Sequence, residues 1–232
     1  MDKDSATVRY RFHLPSTVAE EISLNFDRRS FHLRLPPVTE EADWVALDFH
    51  RCGHCPLTSE QSPFCPFAQA LSRFIARFDA FYSYENVVVE VVTELRTVVA
   101  HGALQQGMSS LVGLIGATCG CPHLAFFRPL AHFHLPFASE EETLYRVFAT
   151  HLLGQFIEAG AESGTPISLA GLQAGYEAAS RVNQGISERI RAAFSKDAVV
   201  NGLIILDTFA QAAPYVIKEK LEELRYLFKP GP

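Results

Sequence analysis

The sequence predicts an α+β fold, with an antiparallel sheet of about five or six strands in the N-terminal half packed against a mostly helical C-terminal half. Two patterns carry this expectation. Residues 7–50 alternate apolar and polar with a period of two, as in a sheet with one wet face, whereas from residue 103 onward apolar residues recur every three or four positions, as on one face of a helix. The 232 residues, 48% hydrophobic, can bury a sizeable core, and the whole chain, 1–232, reads as one domain with a strand-rich layer (1–102) and a helical layer (103–232).

Val8, Tyr10, Phe12 and Leu14 alternate with Arg9, Arg11 and His13, which gives the first strand. Ile22, Leu24 and Phe26, then Phe31, Leu33 and Leu35, repeat the pattern across a turn at Asp27 to Ser30, which predicts a hairpin ended by Pro36 and Pro37. Trp44 to Phe49 reads as a further strand that delivers the chain to His50 and Cys52. A helix follows from about Pro66 to Phe81, with Leu71, Phe74, Ile75 and Phe78 on one stripe, and a second hairpin runs Val87 to Val92 and Thr97 to His101.

The helical half opens with Leu104, Met108, Leu111, Val112 and Ile115, where Gly107, Gly113 and Gly116 permit close approach and mark the helix as buried. Residues 120–138, with Pro122, Pro129 and Pro136, are expected to be irregular and to wrap over the surface or over a site. Ser139 and Glu142 form a capping box for a helix whose stripe is Leu144, Val147, Phe148, Leu152 and Phe156, and Gly160 stops it. After a loop at 161–166, Ser168 is expected to cap a long helix with the seam Leu169, Leu172, Tyr176, Ala179, Asn183, Ile186 and Ile190. The residues flanking that seam lack the charges of a zipper, so packing within the chain is favoured, with self-association through the C-terminal helices as the other use. The last segment, 197–228, reads as two helices or one kinked at Pro214, with Ile217, Leu221, Leu224 and Phe228 on its second half.

A net charge of −6 gives no global attraction to nucleic acid or anionic lipid. No run of about 18 apolar residues is present for a membrane span, and the first residues carry charge rather than an apolar leader, so a cytoplasmic protein is expected. No Gly-x-Ser-x-Gly elbow, phosphate-binding loop or dinucleotide fingerprint occurs.

The chemistry lies in the cysteines. All five fall in two short segments, His50-Arg-Cys52-Gly-His54-Cys55-Pro with Cys65-Pro66, and Cys119-Gly-Cys121-Pro-His123. An odd number of thiols in a reducing compartment points to metal ligation or redox work rather than to structural disulfides. A Cys-x-x-Cys turn aims two thiolates at one ion, and a distant segment can close the tetrahedron. The expected ligands are therefore Cys52, Cys55, Cys65 and Cys121, with Cys119 or His123 as substitutes. Zinc is the default ion for such a set and an iron–sulfur cluster the alternative. Cys55, Cys65 and Cys121 each precede a proline, and Cys65 is the best placed of them to cap a helix and feel its dipole.

Cys52-Gly-His-Cys55 also resembles the active-site tetrapeptide of protein disulfide isomerases, which implies a thiol–disulfide oxidoreductase with Cys52 as nucleophile and Cys55 as resolver. Pro56 and the loop to Pro63 intervene where that fold would continue as a helix. Among the remaining polar residues, His132 and His134 would point the same way on an extended segment and read as a polar strand face. His151 reads as a satisfied core histidine, and His101 carries no signal. Arg9, Arg11, Arg28, Arg29 and Arg34 read as the solvated face of the sheet, and Arg128 and Arg146 lie near enough to the second cluster to stabilise thiolates.

Taken together, Cys52-Gly-His-Cys-Pro-Leu57, Gly120-Cys-Pro-His-Leu-Ala125 and Phe133-His-Leu-Pro-Phe-Ala-Ser139 with Glu142-Thr-Leu-Tyr-Arg146 resemble a bacterial family of uncharacterised proteins. That resemblance implies a bacterial cytoplasmic protein and brings no catalytic residues with it.

Overall fold

The computed structural model describes residues 3–14, 19–160, 168–195 and 197–228, of which 216–220 by backbone alone. Five antiparallel strands form one sheet: β1 (Ser5–His13) lies between β2 (Glu20–Asp27) and β4 (Asn86–Val92), the two-residue β3 (Leu33–Arg34) flanks β2, and β5 (Thr97–Ala103) flanks β4. Register follows the alternation. Tyr10 lies opposite Ile22 on one side and Val91 on the other, and these residues, with Val8, Phe12, Leu24, Phe26, Val87 and Val89, make the buried face.

The opposite face carries the arginines expected there, and most of them meet carboxylates: Arg11 pairs with Glu21, Arg28 with Glu94 and Arg34 with Asp27. At the hairpin turn, the Ser30 N–H, followed by the Arg34 guanidinium and the Ser30 hydroxyl, holds the Asp27 carboxyl well below the usual carboxylate range.

Two elements differ from the sequence reading. Trp44 to Phe49 is a single 3-10 turn (Asp43–Val45) and a loop, touching the rest of the chain as a strand only through one bridge from Ala46 to Phe64. Its side chains are buried as alternation requires, but the carbonyls of Trp44, Ala46 and Leu47 are taken by an arginine instead of a neighbouring strand. The helix expected over 66–81 is α1 (Pro66–Ser72) followed by a 3-10 turn (Ile75–Phe78), because Phe74 leaves helical geometry at φ −141. Leu71, Phe74, Ile75 and Phe78 are nonetheless all buried.

α2 (Leu104–Thr118) is the hub of the fold. Its glycines set the approach distances: a Cβ on Gly107 would come within 2.8 Å of Phe12 and 2.9 Å of Val89 in the sheet, one on Gly116 within 3.0 Å of Phe67 in α1, and one on Gly113 within 3.4 Å of Leu206. The proline-rich stretch 120–138 is more regular than expected, with a 3-10 turn (Leu124–Phe127) and α3 (Arg128–His132), since Pro129 occupies the first turn of that helix, where its missing N–H costs nothing.

The capping box of α4 (Glu140–Ala159) is formed, with Ser139 N–H donating to Glu142 at 2.8 Å and Glu142 N–H to Ser139 Oγ at 3.1 Å, and Gly160 caps its end. Leu144, Val147 and Phe148 are buried, but Phe156, at the far end of the predicted stripe, is exposed. The loop 161–166 lies outside the described residues. α5 (Ala170–Ala193) is capped at Leu169, with Ser168 Oγ accepting from the Ala170 N–H instead of serving as the cap itself. Its seam packs on α6 (Ala198–Glu223), one helix that contains Pro214 and ends in a 3-10 turn (Leu224–Phe228). Leu224 is buried and Phe228 exposed, while the side chain of Ile217 lies outside the described residues. No described helix is long and apolar enough to cross a membrane.

Gly107→Ala should destabilise the protein in chemical unfolding although alanine is the better helix former by about 1 kcal/mol, because Phe12 and Val89 leave no room for the methyl group. Gly154→Ala in α4, where a Cβ meets nothing within 4 Å, should instead stabilise by up to about 1 kcal/mol. Equal shifts at the two positions would contradict the packing described.

Candidate functional site: the cysteine cluster

The bridge between Ala46 and Phe64 pinches off a loop, closed by Leu47 N–H to Pro63 O and Cys65 N–H to Val45 O, both 2.9 Å. Inside it the Cys-x-x-Cys turn is closed by Cys55 N–H donating to Cys52 O at 3.0 Å, and Arg51 Nη2 donates to the carbonyls of Cys55 and Leu57. Cys65 leaves the loop as the cap of α1.

The second segment arrives at the C-terminus of α2. Cys119 caps that helix, and Gly120, at φ +95, turns the chain in the left-handed region against Pro66. Cys121 then accepts the N–H groups of Leu124 and Ala125 on its carbonyl. His123 closes the contact with the first segment: its Nε2 lies 2.8 Å from His54 O and its ring stacks on His54 with centroids 4.1 Å apart. The two cysteine segments therefore meet, as the spacing predicted. Gly185 of α5 forms the third wall, where an added Cβ would come within 2.8 Å of Cys52 Sγ.

All five cysteines are free thiols, and they sense one another. Burial, then the neighbouring thiols of Cys65, Cys121 and Cys55, pushes Cys52 up to about 11, with Arg189 opposing. Burial also raises Cys121, with Cys65 and Cys55 adding to it and the N–H groups of Leu124 and His123 opposing. Cys52 and Cys121 therefore each lie close to Cys55 and Cys65. Cys119 is raised well above the usual thiol range by burial and then by Cys121, with Cys65 adding to it, and its Sγ donates to Gly116 O at 3.2 Å. His54 is lowered, by burial first and by His123 second. Among the described residues, no three His, Cys, Asp or Glu side chains are gathered tightly enough to hold a metal ion as the side chains stand.

The cation beside the cluster is one the sequence reading passed over. Arg189, 1% exposed, donates through Nη1 to Trp44 O (3.0 Å) and Ala46 O (2.7 Å) and through Nη2 to Leu47 O (2.7 Å). Its Nε has no partner, and no carboxylate pairs with it among the described residues. The available signal was its position three and four residues after Ile186 and Gly185, on the buried side of α5. The arginines singled out instead lie elsewhere: Arg128 meets His32, and Arg146 donates to Leu130 O and Phe133 O.

The histidine pair at 132 and 134 is not extended. His132 ends α3 and meets Phe31 edge to face, whereas His134 turns inward, its Nε2 2.6 Å from the Tyr10 hydroxyl. His151 is satisfied by Ser168 O at 2.9 Å.

Residues 8–229 match a family described as "Domain of unknown function (DUF6901)". No curated protein and no solved structure matches the chain.

Arg189→Lys should cost about 2 kcal/mol or more in urea unfolding, since one ammonium cannot reach the three carbonyls that the planar fork spans. A second expectation concerns acid stability. Burial, and then the Arg146 charge, lowers His134 to about 4 from 6.5, so the folded state resists a proton that the unfolded chain accepts. Its contribution is complete above pH 6.5 and falls away as pH drops towards 4, by about 3 kcal/mol in all. Unfolding midpoints measured across pH 7 to 4 should show this slope, and His134→Phe should flatten it.

Proposed function

The chain belongs to the DUF6901 family, and from the geometry of its cysteine cluster we propose that it is a zinc-binding protein whose thiolate centre ties the N-terminal sheet to the C-terminal helices. The observation that carries the reading is the meeting of the two cysteine segments, where His123 reaches His54 O and stacks on its ring and Cys52 and Cys121 each lie close to Cys55 and Cys65, thiols drawn from a loop, a helix cap and the segment after the central helix. Four thiols from three separate places is a donor set suited to a closed tetrahedral zinc site.

Arg189 supports the same reading. A buried guanidinium without a carboxylate needs a negative neighbour, and zinc with four thiolates carries a net charge of −2 once the four protons have left. Burial first and then the neighbouring sulfurs disfavour the Cys52 thiolate, and a bound divalent cation would offset both. Cys119 is less suited, since its thiol is spent on Gly116 O, whereas His123, whose Nε2–H donates to His54 O, keeps Nδ1 as a substitute donor. An iron–sulfur cluster on the same four thiolates is the alternative within this class.

The oxidoreductase reading is weaker. A nucleophilic cysteine is activated by a lowered pKa, and Cys52 is raised to about 11. The all-antiparallel sheet also lacks the βαβ unit in which a thioredoxin-like Cys-x-x-Cys sits. Reduced thiols and no spanning helix among the described residues fit a bacterial cytoplasmic setting.

Untagged protein purified without oxygen or chelator should contain about one zinc per chain, and a Cys52→Ser, Cys55→Ser double variant should lose both the metal and several degrees of melting temperature. Cys119→Ser should keep the metal. Cobalt titrated into apoprotein should give the intense near-ultraviolet absorption of thiolate ligation. Iron with acid-labile sulfide would assign the cluster to iron–sulfur chemistry, and protein that neither contains nor takes up zinc, cobalt or iron would remove the reading altogether.

A further inference from the structure

On the other side of α5 lies a cavity of about 810 Å³, bounded by the β4–β5 hairpin, α2, the α3–α4 region and α6. Its volume is in the range of sites that enclose a small organic molecule, and its walls are chiefly apolar. What distinguishes it from a packing defect is its polar content. Asn183 (5% exposed), Tyr176 (4%) and Ser109 (8%) all line it, and none of the three side chains has a hydrogen-bond partner among the described residues. Their polar atoms are open to the cavity and not sealed in the core, where the buried nitrogens without a partner among the described residues are Arg73 Nε and Arg189 Nε, so a ligand or water can reach them.

The cavity also has a charge. Arg146 lines it, half-buried, and burial lowers its pKa. Nη2 is engaged by the carbonyls of Leu130 and Phe133, Nε and Nη1 make no hydrogen bond among the described residues, and the Glu142 carboxylate one turn earlier in α4 acts on this arginine by its charge without coming into ion-pair contact. His134, the other basic group in that part of the wall, is kept neutral by burial and faces the Tyr10 hydroxyl. Glu140 is the acidic residue of the lining, at the first position of α4. A guanidinium with free N–H groups at an apolar cavity suits a carboxylate, which it can bind through two parallel hydrogen bonds.

We propose that this cavity binds a long-chain carboxylic acid, with the carboxylate on Arg146 and the acyl chain along the apolar walls beside the Tyr176 ring. The cavity and the cysteine cluster lie on different faces of α5, so this assignment stands independently of the metal.

Palmitate is the probe, with hexadecanol as its uncharged counterpart, and binding is followed by displacement of a fluorescent fatty acid from the full-length protein. One saturable palmitate site per chain is expected, with hexadecanol at least ~10-fold weaker. Arg146→Met should weaken palmitate by ~10-fold or more and leave hexadecanol unchanged. The wild-type protein gives a second readout that needs no variant: carbon-13-labelled palmitate should show nuclear Overhauser contacts to the Tyr176 ring. No saturable binding, contacts confined to another part of the molecule, or a folded Arg146→Met protein that binds palmitate as tightly as the wild type would each overturn the proposal.

Discussion

A guanidinium buried without a carboxylate has to find its hydrogen bonds in the backbone, and Arg189 finds them in the carbonyls of Trp44, Ala46 and Leu47. That single side chain replaces what a neighbouring strand would have supplied. It lets residues 44–47 stay buried as a turn, seats the base of the Cys52–Cys55 loop on α5, and so brings the loop to where Cys65 and Cys121 already are. Remove the fork and the carbonyls of Trp44 and Leu47 lose its donors, Ala46 O is left with the Phe49 N–H, and Trp44, Val45 and Leu47 lose the anchor that holds them in the core.

The layers of the fold were legible because they rest on periodicity. Alternation in β1, β2 and β4 reflects one buried face, which a one-residue slip would turn outward, and the three-and-four spacing in α5 marks its buried stripe, while α2 is buried on nearly all sides. The Trp44 to Phe49 segment shows the limit of that signal. Its alternation reports which side chains are buried, and they are, but burial does not say who satisfies the backbone, and here a side chain 145 residues away does. The early end of α1 is of the same kind: the apolar stripe continues through Phe78, while the helical hydrogen bonds stop at Ser72.

The cysteine segments were found from composition and spacing alone, and the fold brings them together. Which thiols belong together was legible only in part. Spacing gave no ground for separating Cys119 from Cys121, two residues apart, whereas helix geometry does: Cys119, as the last residue of α2, turns its sulfur back to Gly116 O, and only beyond the left-handed Gly120 does the chain point Cys121 at the other thiols. Arg189 escaped notice because an arginine on a helix is ordinarily solvated, and nothing in its neighbours marks it as the exception. The cavity escaped for a related reason. Asn183 was read as a polar residue in a seam, and only the assembled helices show that nothing faces it.

α5 separates the two sites. Gly185 meets Cys52 and Asn183 meets the cavity, and two residues along a helix is a rotation of roughly 200°, so the two contacts lie on nearly opposite faces. A metal centre that senses needs an element with two positions, each favoured by one state of the site. α5 is a poor candidate for such motion. Gly185 leaves no slack against Cys52 Sγ, Arg189 ties the helix to three carbonyls of the 44–47 turn, Ser180 bonds Asp207 of α6 at 2.7 Å, and Ile186 and Ile190 are sealed in the main core. A helix tied at these points moves towards or away from the cysteines only if those contacts break, although its Asn183 face borders the cavity. For a thiolate centre resting on it, a structural role follows more directly than a sensory one.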